Sequence, residues 1–171
     1  MSGSEDFSTK ERLLELSVDH LAKEGPARFK PHEVCAELGI SKALVNYHFG
    51  NRDGLIAEAM VRAYERYVDI LGMAIADAGD DPLEQIVSWI DRQIEWTSEN
   101  PGIAIALNFP YEATDEPLAL SPEHVARLKE NGARNQQQLY ACVLELVRRE
   151  RGEAADPSDM DLIVNAALIG W

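Results

Sequence analysis

Apolar residues recur along most of this chain at intervals of three and four. Leu13, Leu14, Val18 and Leu21, with Ser17 among them, share one helical face; Leu83, Ile86, Val87, Ile90 and Ile94 share another; Leu139, Val143, Leu146 and Val147 share a third. This period predicts amphipathic helices. Four helix starts are written as a capping residue followed by proline: Asp81-Pro82, Asn100-Pro101, Ser121-Pro122 and Asp156-Pro157. Asp, Asn and Ser side chains accept from the free amides of a first turn, and proline has no N–H to leave unpaired there. Stops are predicted at Gly25 and at Gly152, the latter after the basic turn of Arg148, Arg149 and Arg151. The alternation from Ile103 to Leu107 has no partner strand, so it reads as a short buried helix. The expected helices span 8–24, 31–38, 42–48, 52–78, 82–98, 101–109, 122–151 and 157 onward, with 110–121 as the longest loop. The run from Leu162 to Trp171 ends without charge or cap and reads as a chain that stops inside a helix. The expected fold class is all-α.

Residues 31–49 carry the most specific pattern. A helix over 31–38 is followed by Gly39-Ile40-Ser41 and then by Lys42-Ala-Leu-Val-Asn-Tyr-His-Phe49. Gly39 permits a positive-φ turn between two steeply crossed helices, Ile40 plugs the turn from below, and Ser41 suits the cap of the next helix. Val34, Cys35, Leu38, Leu44 and Val45 form a small core. This is a helix-turn-helix pattern, whose second helix enters a DNA major groove.

The run Gly39-Ile-Ser-Lys-Ala-Leu-Val-Asn-Tyr-His-Phe-Gly-Asn-Arg-Asp-Gly-Leu55 resembles the tetracycline-repressor (TetR) family of transcriptional regulators in order and spacing, and the likeness covers about residues 10–60. Four positions depart from that family's pattern: Lys30 stands at a usual capping threonine, Cys35 at an alanine, Ala43 at a glycine and Asn46 at the first aromatic. The resemblance implies a three-helix DNA-binding domain over 1–54 and a helical effector-binding and dimerisation domain over 55–171. It also implies a homodimer on a near-palindromic operator, released by a small-molecule effector. The stripe Leu128, Leu139, Val143, Leu146 and Val147, together with 158–171, is then expected to pair with its copy as a four-helix bundle.

Site residues follow from the same match. Tyr47 and His48 fall at positions that touch the DNA backbone in the family, and their polar hydrogens suit phosphate. Phe49 has no polar group and is assigned to packing. Lys42, Ala43 and Asn46 lie on the forward face of the second helix. Lysine can donate to guanine, asparagine can bond adenine at two points, and alanine can touch a thymine methyl; the rival reading is a solvated face. Arg52, at a helix N-terminus, matches a phosphate-binding position, and Lys30 is a further phosphate candidate. In the second domain Tyr64, Tyr67, Trp89, Trp96, Phe109 and Tyr111 are the candidates for an effector pocket, with ordinary core as the alternative for each.

Charge refines this picture. The net charge of −14 argues against nucleic-acid binding if taken as a sum. Residues 1–60, however, hold seven Lys/Arg against ten Asp/Glu, whereas 61–171 hold nine against twenty. Within 26–52 the balance reverses, with Arg28, Lys30, Lys42 and Arg52 against Glu33 and Glu37. Local field, not the sum, decides what a face attracts. No catalytic motif is present, and the four histidines have no metal-ligand spacing, so neither an enzyme nor a cofactor or metal site is expected. Cys35 and Cys142 lie far apart, which argues against a disulfide framework. With no apolar run near the ~20 residues of a membrane span and no signal peptide, a cytoplasmic protein is expected. Two rival functions stand beside a ligand-released repressor. One is a regulator that acts through a protein partner without an effector. The other is an all-helical small-molecule binder without DNA binding.

Overall fold

The computed structural model describes residues 2–108 and 118–151, with side chains between 8 and 107 and between 118 and 150. Every regular element among the described residues is helical: α1 (Ser2–Arg28), α2 (Pro31–Leu38), α3 (Ala43–Phe49), α4 (Arg52–Asp77), α5 (Pro82–Glu99), α6 (Pro101–Asn108) and α7 (Pro122–Arg151). The chain divides into two compact units, Met1–Tyr64 with Thr97–Leu128, and Glu65–Trp96 with Lys129–Trp171. No helix among the described residues is long and apolar enough to cross a membrane.

Two of the proline starts are capped by the side chain that their chemistry dictates. Asp81 Oδ1 accepts the Leu83 amide at 3.0 Å and Ser121 Oγ accepts the His124 amide at 3.2 Å. At α6 the Ala104 amide reaches the Asn100 carbonyl at 3.0 Å. The fourth start, at Asp156-Pro157, and the helix from 157 lie outside the described residues, as do most of the 110–121 loop and residues 158–171 of the expected four-helix seam. Asn51 also caps α4, its Oδ1 accepting the Gly54 amide at 2.9 Å. Helix α1 starts at Ser2, earlier than residue 8. The predicted stop at Gly25 is a break within α1: its φ of 72° and ψ of 169° leave the helix, which resumes through Pro26 to Arg28.

The core of the first unit is where α1 meets α6. Leu13, Leu14, Val18 and Leu21 are buried as expected, and Ser17 at the same face satisfies its hydroxyl on the Leu13 carbonyl at 2.7 Å. The two helices touch backbone to backbone. A Cβ on Gly102 would stand 2.3 Å from the Leu21 carbonyl oxygen and 2.4 Å from the Gly25 nitrogen. Only glycine fits there, so Asn100-Pro101-Gly102 is a start signal and a docking point in one.

Two packing expectations are corrected. On α5 the stripe Leu83, Val87 and Ile94 does not face inward: these residues are 52%, 44% and 43% exposed, and Ile86 and Ile90 are half-buried. Beyond Pro82 at its start, the buried residues are Trp89 and Trp96, on a different face of the helix. Two apolar faces compete on α5, and the larger area of the indoles decides the outcome. On α7, Leu139 and Val143 are buried by their own chain, which removes them from the predicted seam between copies. Leu128, Leu146 and Val147 are only half-buried.

The glycine contact yields a direct prediction. Gly102→Ala should lower the unfolding free energy by about 1–3 kcal/mol, because the clash is with backbone that cannot step aside. Gly72→Ala should cost less, because its Cβ would meet only the Gln138 side-chain amide. Urea denaturation measures both, and a Gly102→Ala chain as stable as wild type would contradict the close approach.

Candidate functional site

The helix-turn-helix is closed by backbone geometry. Gly39 adopts φ 66° and ψ 32°, its amide reaching Ala36 O at 3.2 Å while the Ile40 amide reaches Cys35 O at 2.9 Å. That pair of bonds ends α2 in a Schellman turn and requires the left-handed conformation that glycine adopts freely. Ser41 Oγ then accepts the Ala43 amide at 3.2 Å and opens α3. Val34, Cys35 and Val45 are buried beneath the turn, with Leu38 and Leu44 half-buried. Burial raises the Cys35 thiol above its ordinary range, which keeps it a neutral packing group.

This leaves one face of α3 outward. Lys42, Ala43 and Asn46 are exposed, and Tyr47 is 71% exposed, the most exposed large hydrophobic side chain among the described residues. His48 is half-buried, its ring edge-on to Tyr47 at 4.8 Å and to Phe49 at 6.2 Å between centroids. Phe49 is half-buried too, as its packing assignment requires, and Lys10 Nζ sits 5.7 Å from the centre of its ring. Lys10 was not legible as a site residue, because nothing in its local sequence links α1 to the end of α3; it adds a positive charge beside that end.

Lys30 and Arg52 stand differently. Lys30 is exposed, and its ammonium donates to Glu33 Oε1 at 3.0 Å. That hydrogen bond, more than the charge, holds the ammonium above its usual range and the Glu33 carboxyl below its own. Arg52 is turned partly inward: Nη2 donates to Pro26 O at 2.5 Å, Nε to Phe29 O at 3.3 Å, and Nη1 to Asp53 at 3.3 Å. The arginine at the start of α4 therefore fastens the carbonyls that follow the break in α1. A tie of this kind is invisible in sequence because its acceptors are backbone atoms 23 and 26 residues away.

In the second unit, Trp89, Trp96 and Tyr67 are buried, and the Tyr67 and Trp96 rings lie 4.4 Å apart at 40°. Tyr64 belongs to the first unit; burial raises its phenol above the ordinary range. Phe109 and Tyr111 lie outside the described residues. The structure also buries polar residues that sequence reasoning passed over. Asn131 and Asn135 on α7 are buried, with Gln138 half-buried one turn further on. Trp89 Nε1, Gln93 Oε1, Asn135 Oδ1 and Gln138 Oε1 are buried with no hydrogen-bond partner, although Gln138 Nε2 donates to Val68 O at 3.2 Å. The missed signal was a run of amides at positions 131, 135 and 138, which helical spacing places on one face. An open groove of about 650 Å³ between α4 and α5, lined by Asp77, Glu84, Val87, Asp91 and Glu95 among others, contains none of the predicted effector residues.

Comparison with known proteins bears on the first unit most directly. Residues 13–59 match the profile of the bacterial regulatory proteins, tetR family. The HTH-type transcriptional repressor SCO4008 of Streptomyces coelicolor is 26% identical over 175 residues, spanning 100% of this chain and 81% of its own length. The HTH-type transcriptional regulator BetI of Stenotrophomonas maltophilia is 27% identical over 86 residues, 50% of this chain and 44% of its own length.

The position of Arg52 predicts a stability role separable from any contact with DNA. Arg52→Ala should destabilise the chain by about 1–2 kcal/mol, since two carbonyls lose charge-assisted donors. Arg52→Lys should not restore the loss, because an ammonium lacks the planar fork that spans both acceptors. Denaturant titration reads this, and unchanged stability in Arg52→Ala would contradict the tie.

Proposed function

We propose that the chain, whose residues 13–59 match the bacterial regulatory proteins, tetR family, is a helix-turn-helix transcriptional repressor released from a near-palindromic operator by a small-molecule effector. The proposed division is a DNA-binding domain over 1–54 and an effector-binding and dimerisation domain over 55–171, with no enzymatic activity. The observation that carries the DNA reading is the outward face of α3. Lys42, Ala43, Asn46 and Tyr47 project from a helix whose opposite side is pinned by Val45. Lys42, Ala43 and Asn46 meet base edges; Tyr47 and His48 meet phosphate, joined by Lys30 and by the Arg52 N–H groups not used within the chain. A homodimer presents two such helices about 34 Å apart, one turn of duplex.

The effector reading is supported by the interior of the second unit. Tyr67, Trp89 and Trp96 bury their rings in that unit, and Trp89, Gln93, Asn135 and Gln138 each bury a polar atom that lacks a partner. A buried polar atom left unpaired costs about 1–3 kcal/mol, so a ligand that pairs with several gains specificity from them. Tyr64, Phe109 and Tyr111 remain further candidates. Effector binding acts on α4, whose single helix begins at Arg52 and so at the tie to Pro26 and Phe29. A ligand that prefers one position of α4 draws population away from the DNA-competent state.

Selection of bound duplexes from random DNA, followed by titration, tests the DNA half. Asn46→Ala should cost about 1–3 kcal/mol on the selected site and relax preference at one position per half-site. Tyr47→Phe should weaken selected and random duplex alike. Equal loss on random DNA for Asn46→Ala would contradict base reading. Screening metabolites for relief of operator binding tests the effector half. Trp89→Phe removes a buried donor while keeping a smaller aromatic ring in place, so it should retain operator affinity and blunt the response to an active compound. An unchanged response would exclude Trp89 from the site.

A further inference from the structure

The histidines lack metal spacing along the sequence, but folding changes their neighbours. His20 and Glu24 are one turn apart on α1, and Glu33 and Glu37 are one turn apart on α2. These are two pairs at the i, i+4 spacing that places side chains side by side. The packing of α2 on α1 brings the pairs together. One ligand atom each from His20, Glu24 and Glu33 lies within 4.8 Å of the other two, all three residues being half-buried. Glu37 flanks this group, its Oε2 3.2 Å from His20 Nε2. No other group of three such residues meets this geometry among the described residues.

We propose that His20, Glu24 and Glu33, supported by Glu37, bind a divalent transition-metal cation between α1 and α2. The donor set argues for the class of ion. An imidazole nitrogen favours zinc, copper, iron or nickel over magnesium, calcium and manganese, and the carboxylates offset the charge of the ion. Ligands at about 2.1 Å from an ion stand roughly 3–3.5 Å apart. The present separations need only side-chain rotations on two helices already in place. The competitor is Lys30, whose ammonium holds Glu33 Oε1. It is exposed on a flexible stem, so an ion displaces it instead of rebuilding the backbone. A bound cation clamps the first helix of the helix-turn-helix to α1 and stabilises the fold by mass action.

Isothermal titration of the full chain with zinc chloride, in chelator-free buffer at neutral pH, tests this. The expected result is one saturable site per chain, with a rise in thermal midpoint that a chelator reverses. His20→Ala and Glu33→Gln should each weaken binding at least about tenfold, in line with the usual loss when a metal site is disturbed. His32→Ala should leave binding as in wild type, since His32 is not among the donors. Lys30→Gln should tighten binding, which a mutation that merely damaged the fold would not do. Absence of a saturable site, wild-type affinity in both His20→Ala and Glu33→Gln, or weaker binding in Lys30→Gln would each overturn the site.

Discussion

The arrangement around α3 depends on how Arg52 is spent. Its guanidinium gathers the carbonyls of Pro26 and Phe29 while its backbone begins α4. The chain between those points holds α2, the Gly39 turn and α3. Once both ends are fixed, the intervening helices have little freedom except to bury Val34, Cys35 and Val45 and leave the opposite side of α3 in water. The Gly25–Gly102 contact acts on the same stretch of chain: it seats α6 against α1 where the helix breaks, just ahead of Pro26. An exposed tyrosine and asparagine on a seven-residue helix are positioned by backbone carbonyls and two glycines, with few side-chain contacts of their own.

Most of the helical map was legible because its signals are local. A cap, a proline and a glycine each act within one turn, and Asp81, Asn100, Ser121 and Gly39 announced their boundaries without tertiary information. What was not legible depends on competition or on distance. The Leu83–Ile94 stripe is as periodic as any core face, yet Trp89 and Trp96 on another face of α5 took the interior. Val143 looked available for a partner because periodicity cannot say which neighbour covers a face; its own chain does. The outward exposure of Lys42, Ala43, Asn46 and Tyr47 accords with their place in the motif, whereas the tie of Arg52 and the charge of Lys10 beside Phe49 required folding to bring remote segments together.

Two polar features share this origin. His20, Glu24 and Glu33 are ordinary surface groups in sequence and become a three-donor cluster, with Glu37 beside His20, only when α1 and α2 pack. The amides at Asn131, Asn135 and Gln138 read as the polar side of a helix, but two of the three are buried in the second unit and the third is half-buried. In a chain of net charge −14, carboxylates are expected on any surface, so placement carries the information. A positive stretch near α3, a neutral polar interior and a histidine–carboxylate cluster are three local environments that the total charge conceals.

The central claim is that the outward face of α3 reads a duplex in the major groove as one half of a symmetric pair. Footprinting of the purified chain on its selected site tests this most directly, with base-methylation interference to distinguish the grooves. The account predicts two protected patches on one side of the duplex, centred about one helical turn apart, with interference from guanine N7 methylation within them. Protection confined to the minor groove, or a single patch without a symmetry mate, would contradict it.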